Sequence, residues 1–211
     1  MNSTTTVRRV AAVLFDGFTV LDVYGPVQAF ASCRAPTTAG DPQRLFEIFS
    51  LAEHAGVVKP GEGPPSYAEY GFADAPDCDV LLIPGGFGTR TAVNNASLLT
   101  HLADASRRTP ITATVCTGSA LLARTGLLDG RPATSNKLAW DWVLQQGPRV
   151  KWVRRARWVE DGNIITSSGV SAGIDMALSL IARLCGQDMA LSAARRMEYR
   201  WHAEASDDPF A

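Results

Sequence analysis

Residues 111–119 read Ile111-Thr-Ala-Thr-Val-Cys-Thr-Gly-Ser119, and this stretch decides the fold. Ile111 to Val115 is an apolar, β-branched run of the kind that forms a strand covered on both faces. Thr117 to Arg124 then takes up helical spacing and ends near Gly126. A buried strand running straight into a helix is the repeating step of an α/β domain with a parallel sheet. Cys116 stands at the turn between the two.

The same alternation extends outward in both directions. Asp79 to Ile83 is a second buried strand that stops at Pro84-Gly85-Gly86, and Ala96 to Arg107 follows as a helix with Leu98, Leu99, Leu102 and Ala105 on one face. Nearer the N-terminus, Val7 to Phe15 reads as a strand and Asp16-Gly17 as a turn. A helix then runs to about Cys33, with Pro26 placed in its first turn. Leu45 to Leu51 is a strand, Lys59 to Pro65 a loop, and Tyr67 to Phe72 a short edge segment. Downstream come a helix at Lys137 to Gln146 and strands at Val150 to Val159 and Asn163 to Thr166. Helices at Ala172 to Cys185 and from Met189 to about Trp201 close the chain. These elements predict an α/β fold: a mostly parallel central sheet with helices on both faces, in one domain spanning residues 1–211. A frayed tail is expected over about residues 1–6 and a polar tail over 203–211.

The composition fits this reading. With 46% hydrophobic and 19% charged residues, the chain can bury a full core. A net charge of −1 gives no general attraction to nucleic acid or anionic membranes. No apolar run approaches the roughly 20 residues of a membrane-spanning helix, and Met1 to Arg9 lacks the apolar segment of a secretory signal. Cys33, Cys78, Cys116 and Cys185 are widely spaced without a C-x-x-C pair, so neither a metal site nor a disulfide framework is expected. Free thiols suit a cytoplasmic setting.

In an open sheet of this kind, sites form at the carboxyl ends of the strands. Three such ends should meet: Phe15 leading to Asp22, Ile83 leading to Gly85-Gly86, and Val115 leading to Cys116. A thiol at a helix start is expected to have its thiolate favoured and its pKa lowered. The alternative is a buried structural cysteine. Gly85 and Gly86 let backbone amides approach a bound oxygen, or simply end a strand. A dinucleotide fingerprint is excluded, because Thr91 stands where the third glycine would be. Asp22 reads either as a helix-start residue or as a working acid.

Five segments together resemble one superfamily: Leu21-Asp-x-x-Gly-Pro26, Ile83-Pro-Gly-Gly86, Val115-Cys-Thr-Gly-Ser119, Gly126-Leu-Leu-x-Gly130 and Gly169-Val-Ser-Ala-Gly-Ile-Asp175. They are similar to the ThiJ/PfpI superfamily, with its amidotransferase-like sandwich. The most similar branch holds isocyanide hydratases and the N-terminal domains of AraC-type regulators. The resemblance implies a nucleophile elbow at Cys116, an acid–base partner in Asp22, and pocket roles for Gly85, Gly86 and Thr117. It also implies a homodimer, no cofactor, and a small-molecule electrophile as partner. The implied reaction is thiolate attack on an isocyanide carbon, then hydrolysis of the thioimidate to an N-substituted formamide.

Two departures bear on the reaction. Thr117 stands where proteases and many glyoxalase- or deglycase-like members carry histidine, so a Cys–His pair is absent at that position. The branch's Thr-Thr-His-Trp segment reads Thr134-Ser135-Asn136-Lys137 here, which predicts a differently shaped pocket. A ligand-sensing or redox-responsive module without turnover is the competing reading, and glyoxalase or deglycase chemistry a third. A full AraC-type regulator is not expected, since no helix-turn-helix region follows before Ala211.

The remaining features read as structural. Lys151 to Trp158 mixes basic and aromatic residues and is expected to be an edge hairpin protected by charge rather than a nucleic-acid surface. His54, His101 and His202 are expected at the surface, Asp175 as an early-helix acid, and Trp140 and Trp142 in packing or a dimer face.

Overall fold

A computed structural model describes residues 6–36 and 41–211. The expected N-terminal tail lies outside the described residues except for Thr6. Seven strands form the central sheet: β1 (Arg8–Val13), β2 (Phe46–Ala52), β3 (Tyr70–Gly71), β4 (Val80–Ile83), β5 (Ile111–Thr114), β6 (Trp158–Asp161) and β7 (Ile164–Ser167). Their spatial order is β6-β7-β5-β4-β1-β2-β3. Every neighbouring pair is parallel except the β6–β7 hairpin at one edge.

Among the described residues, seven helices accompany the sheet: α1 (Val20–Ala31), α2 (Thr89–Ala92), α3 (Ala96–Arg108), α4 (Gly118–Arg124), α5 (Trp140–Gln146), α6 (Ala172–Cys185) and α7 (Gln187–Arg196). They occupy both faces, and β1 shows why. Val10 and Ala12 point into a core shared with α1, α6 and α7, while Ala11 and Val13 point into one shared with α3 and α4. A strand buried on both faces must be apolar at every position, and β4 is fully buried along its length. Each fully buried aliphatic side chain there, such as Leu82, contributes about 1.5–3 kcal/mol relative to exposure.

Three local expectations are corrected. Pro26 sits inside α1 rather than in its first turn, because the helix already begins at Val20. The segment expected as one strand from Val150 to Val159 is broken: Lys151–Trp152 pairs with Pro132–Ala133, and β6 begins only at Trp158. The edge segment at Tyr67 to Phe72 divides between a hairpin of Gly56–Val58 with Ser66–Ala68 and the sheet strand β3.

Candidate active site

The parallel order brings three strand ends together. Val115 N–H donates to the Ile83 carbonyl at 2.9 Å, and Cys116 N–H to the Ser168 carbonyl at 3.1 Å. The chain must then turn sharply into α4, and Cys116 takes a φ of 57° to do so. That left-handed conformation costs an L-residue about 1–2 kcal/mol. Two buried hydroxyls, Ser119 Oγ at 3.1 Å and Ser135 Oγ at 2.9 Å, hold the Cys116 carbonyl in place. The thiol is thus lifted off the sheet at the floor of a pocket.

Asp22 arrives from the first turn of α1, is fully buried, and makes no cap for its helix. Its Oδ2 accepts from Gly85 N–H at 2.9 Å. Oδ1 is buried without a hydrogen-bond partner of good geometry, and the carboxyl faces the Cys116 thiol, which acts on it as a weak donor. Burial pushes the carboxyl up to about 7, against the pull of those two donors. Asp16 is elsewhere: its Oδ1 accepts from Lys59 N–H at 2.9 Å and tethers a loop.

The expectation of a lowered thiol pKa is corrected. Burial pushes Cys116 up to about 12, and the Asp22 charge adds to that. Backbone N–H groups of Thr117 and Val170 and the Asn136 side chain pull it back only in part. Desolvation of a thiolate outweighs the start of a helix as short as α4. Cys116 is therefore a thiol at rest, with an acid poised near neutrality beside it.

Gly86 lines the pocket, and both Gly85 and Gly86 let their loop close on the elbow. A Cβ on Gly85 would lie 2.5 Å from Thr117 N, so only glycine lets this loop touch the elbow. Gly86 has φ 126°, and a Cβ there would meet the Gly17 carbonyl oxygen at 2.4 Å. Both amides are engaged inside the protein, Gly85 with Asp22 and Gly86 with Thr117 Oγ1 at 3.0 Å. The donors that face the sulfur come instead from Thr117 and Val170.

The pocket above Cys116 has a volume of about 260 Å³. Its walls include Phe87, Leu138 and Val170, with Asn136 and Arg90 as polar groups. Val170 adopts φ 44°, a strained value for a β-branched residue, and its backbone amide meets the sulfur. Sequence reading did not give Asn136 or Arg90 a role in the chemistry. Asn136 falls where the branch carries histidine, and that departure was the available signal. Its Oδ1 accepts from Ala139 N–H at 2.9 Å, which leaves the amide nitrogen for the sulfur. Arg90 had no local signal, because Trp142, on which it stacks at 3.7 Å, lies far along the chain.

A buried charge cluster corrects two expectations, drawing Arg157 inward from the basic hairpin and Asp208 from the polar tail expected over 203–211. Arg157 pairs with Asp175 and Asp208, and Lys137 Nζ lies 3.6 Å from Asp208 Oδ2. Asp175 lies in the first turn of α6, as expected of an early-helix acid, and it also accepts from Tyr199 Oη and His202 N–H, which anchors the C-terminal segment. The basic hairpin therefore has Arg157 turned inward. His101 is half-buried and stacked on Phe72 at 3.9 Å, whereas His54 is exposed. No helix among the described residues is long and apolar enough to cross a membrane.

A two-faced α/β sandwich with a cysteine in left-handed conformation at a strand-to-helix turn defines the amidotransferase-like class. Within that class, the chain belongs to the DJ-1/PfpI family, whose model matches residues 8–183. A ThiJ/PfpI family protein from Pseudomonas syringae superposes with a TM-score of 0.81 at 32% identity, covering 99% of this chain and 81% of that one. The isonitrile hydratase of Pseudomonas putida is 34% identical over 128 residues, which is 61% of this chain and 55% of that protein. The HTH-type transcriptional regulator GbdR of Pseudomonas aeruginosa is 28% identical over 90% of this chain and 50% of its own length. The chain thus spans about half the length of these curated relatives.

Proposed function

We propose that the protein is a cofactor-free, cysteine-dependent hydratase that converts a small isonitrile to the N-substituted formamide. The observation that carries this reading is the buried Asp22 carboxyl, pushed up to about 7, facing the Cys116 thiol. A carboxyl in that range takes and returns protons readily at neutral pH. The Cys116 proton passes to Asp22 as sulfur bonds to the isonitrile carbon, and Asp22 returns it to that carbon, giving a thioimidate. Asp22 then takes a proton from water as the oxygen adds, and delivers it to nitrogen. Collapse of the adduct breaks the carbon–sulfur bond, frees the formamide and restores the thiol. Thr117, Val170 and Asn136 steady the negative charge on sulfur during these steps. A homodimer and a cytoplasmic setting belong to the same reading.

Similarity to a regulator over 90% of the chain favours a second reading, in which the same pocket binds a ligand without turnover. The expectation of no nucleic-acid partner lapses under that reading. Turnover of isonitriles and α-oxoaldehydes by wild type, C116A and D22N separates the possibilities. Formamide produced by wild type and lost in both variants supports hydration. Turnover retained by C116A, or confined to α-oxoaldehydes, overturns it, and binding with no turnover favours the sensor.

A further inference from the structure

The pocket holds a cation that nothing in the reaction above uses. Arg90, on α2, lines the pocket together with Cys116. Its guanidinium lies 3.7 Å over the Trp142 ring and 5.7 Å from the Phe87 ring centre. Nη1 donates to Thr89 Oγ1 at 3.1 Å. Among the described residues no carboxylate comes within 4.0 Å of it, so its charge is left for what enters the pocket.

A guanidinium carries five N–H donors in a fixed plane. Stacking on an indole holds that plane while leaving its edges open, the arrangement that suits a two-point grip on a carboxylate. The hydroxyl that receives Nη1 lies 3.1 Å from Thr117 Oγ1, on the residue directly after Cys116. An anion held at the Arg90 edge is thereby tied to the elbow itself. The other walls, Leu138, Val170, Ala139 and Phe87, offer only apolar contact to the rest of a ligand. A volume of about 260 Å³ suits a molecule of amino-acid size, being below the roughly 300–1,000 Å³ typical of drug-sized ligands.

We propose that this pocket selects small molecules bearing a carboxylate and a compact apolar group, with Arg90 gripping the carboxylate and the reactive carbon facing Cys116. Joined to the hydratase reading, on which this last point rests, the substrate class becomes isonitriles that carry a carboxylate. Arg90 is then the specificity-determining residue.

Calorimetric titration with isovalerate and its neutral isostere isovaleramide tests the grip without any turnover. Wild type is expected to bind the acid at least about tenfold more tightly than the amide. R90Q should erase that preference by weakening isovalerate far more than isovaleramide, and R90K should restore part of it, provided circular dichroism shows both variants folded. Equal affinity for the two probes, no binding of isovalerate, or a preference that survives R90Q overturns the proposal. Kinetics with isocyanoacetate against methyl isocyanide then tests the two readings separately. A carboxylate preference in binding without hydration of either compound sinks the hydratase reading and leaves the grip intact. Equal kcat/KM for the two compounds with no binding preference does the reverse.

Discussion

Ser135 Oγ donates to the carbonyl of Cys116 at 2.9 Å across nineteen residues of sequence. Ser119 Oγ reaches the same oxygen at 3.1 Å, so two buried hydroxyls hold the strained turn. Removing one leaves the other in place, and S135A should lower stability by about 1 kcal/mol. The double variant S119A/S135A should lose more than the sum of the single variants, because the donors back each other up. Urea unfolding of the three variants checks this, and simple additivity would show that the hydroxyls act independently.

Stability should also report the burial of Asp22. Its folded pKa, about 7, lies above the ordinary 3.8, so the folded state holds the proton more tightly. That contribution is fully present below about pH 4 and is lost as pH rises through 7. The neutral variant D22N escapes the loss. It should match wild type near pH 4 and exceed it above pH 7, by on the order of 2–4 kcal/mol. Denaturant midpoints between pH 4 and 8 measure the gap, and a gap independent of pH would contradict the assigned shift.

Thiol reactivity gives a separate readout of the same pair. At pH 8 the ionised Asp22 holds Cys116 in its thiol form, whereas Asn136 favours the thiolate. The pH at which the Cys116 thiolate forms, read from the pH profile of its alkylation by iodoacetamide, should therefore fall in D22N and rise in N136A. Peptide mapping is needed to isolate Cys116 from Cys33, Cys78 and Cys185. Identical profiles in all three proteins would remove Asp22 and Asn136 from control of the sulfur.

Lys137 should leave a mark at high pH. Burial pulls its ammonium down to about 8, against the attraction of Asp208. A lysine depressed in this way binds fewer protons folded than unfolded between about pH 8 and its ordinary 10.5. Wild-type stability should thus rise relative to K137M across that window. Parallel unfolding curves for the two proteins from pH 7.5 to 10.5 would contradict the shift.

Much of the framework was legible because its causes are local. A strand covered on both faces reads as an apolar run whatever lies beside it, and β1, β4 and β5 read that way. The helix at Ala172–Cys185 carries its own apolar face and a terminating Gly186, so its bounds could be read directly. Pro26 misled because a proline marks a first turn only by tendency, and here α1 starts six residues earlier. Val150 to Val159 misled because alternating aromatic and basic residues resemble a strand, while Arg157 is drawn inward by Asp175, eighteen residues on.

The sequence by itself determined that the sheet is mostly parallel, that Cys116 ends a buried strand, and that Asp22 belongs to the same end of the sheet. Only the tertiary structure decided the state of that sulfur. Its pKa depends on how much water the packed elements remove and which charges they bring near, and here α1 supplies Asp22 while the segment before α5 supplies Asn136. Helix position alone pointed the other way, since a short helix start is a weak field and full burial is a strong one. The pocket's cation was hidden for the same reason: Arg90 becomes a site only when Trp142 folds beneath it.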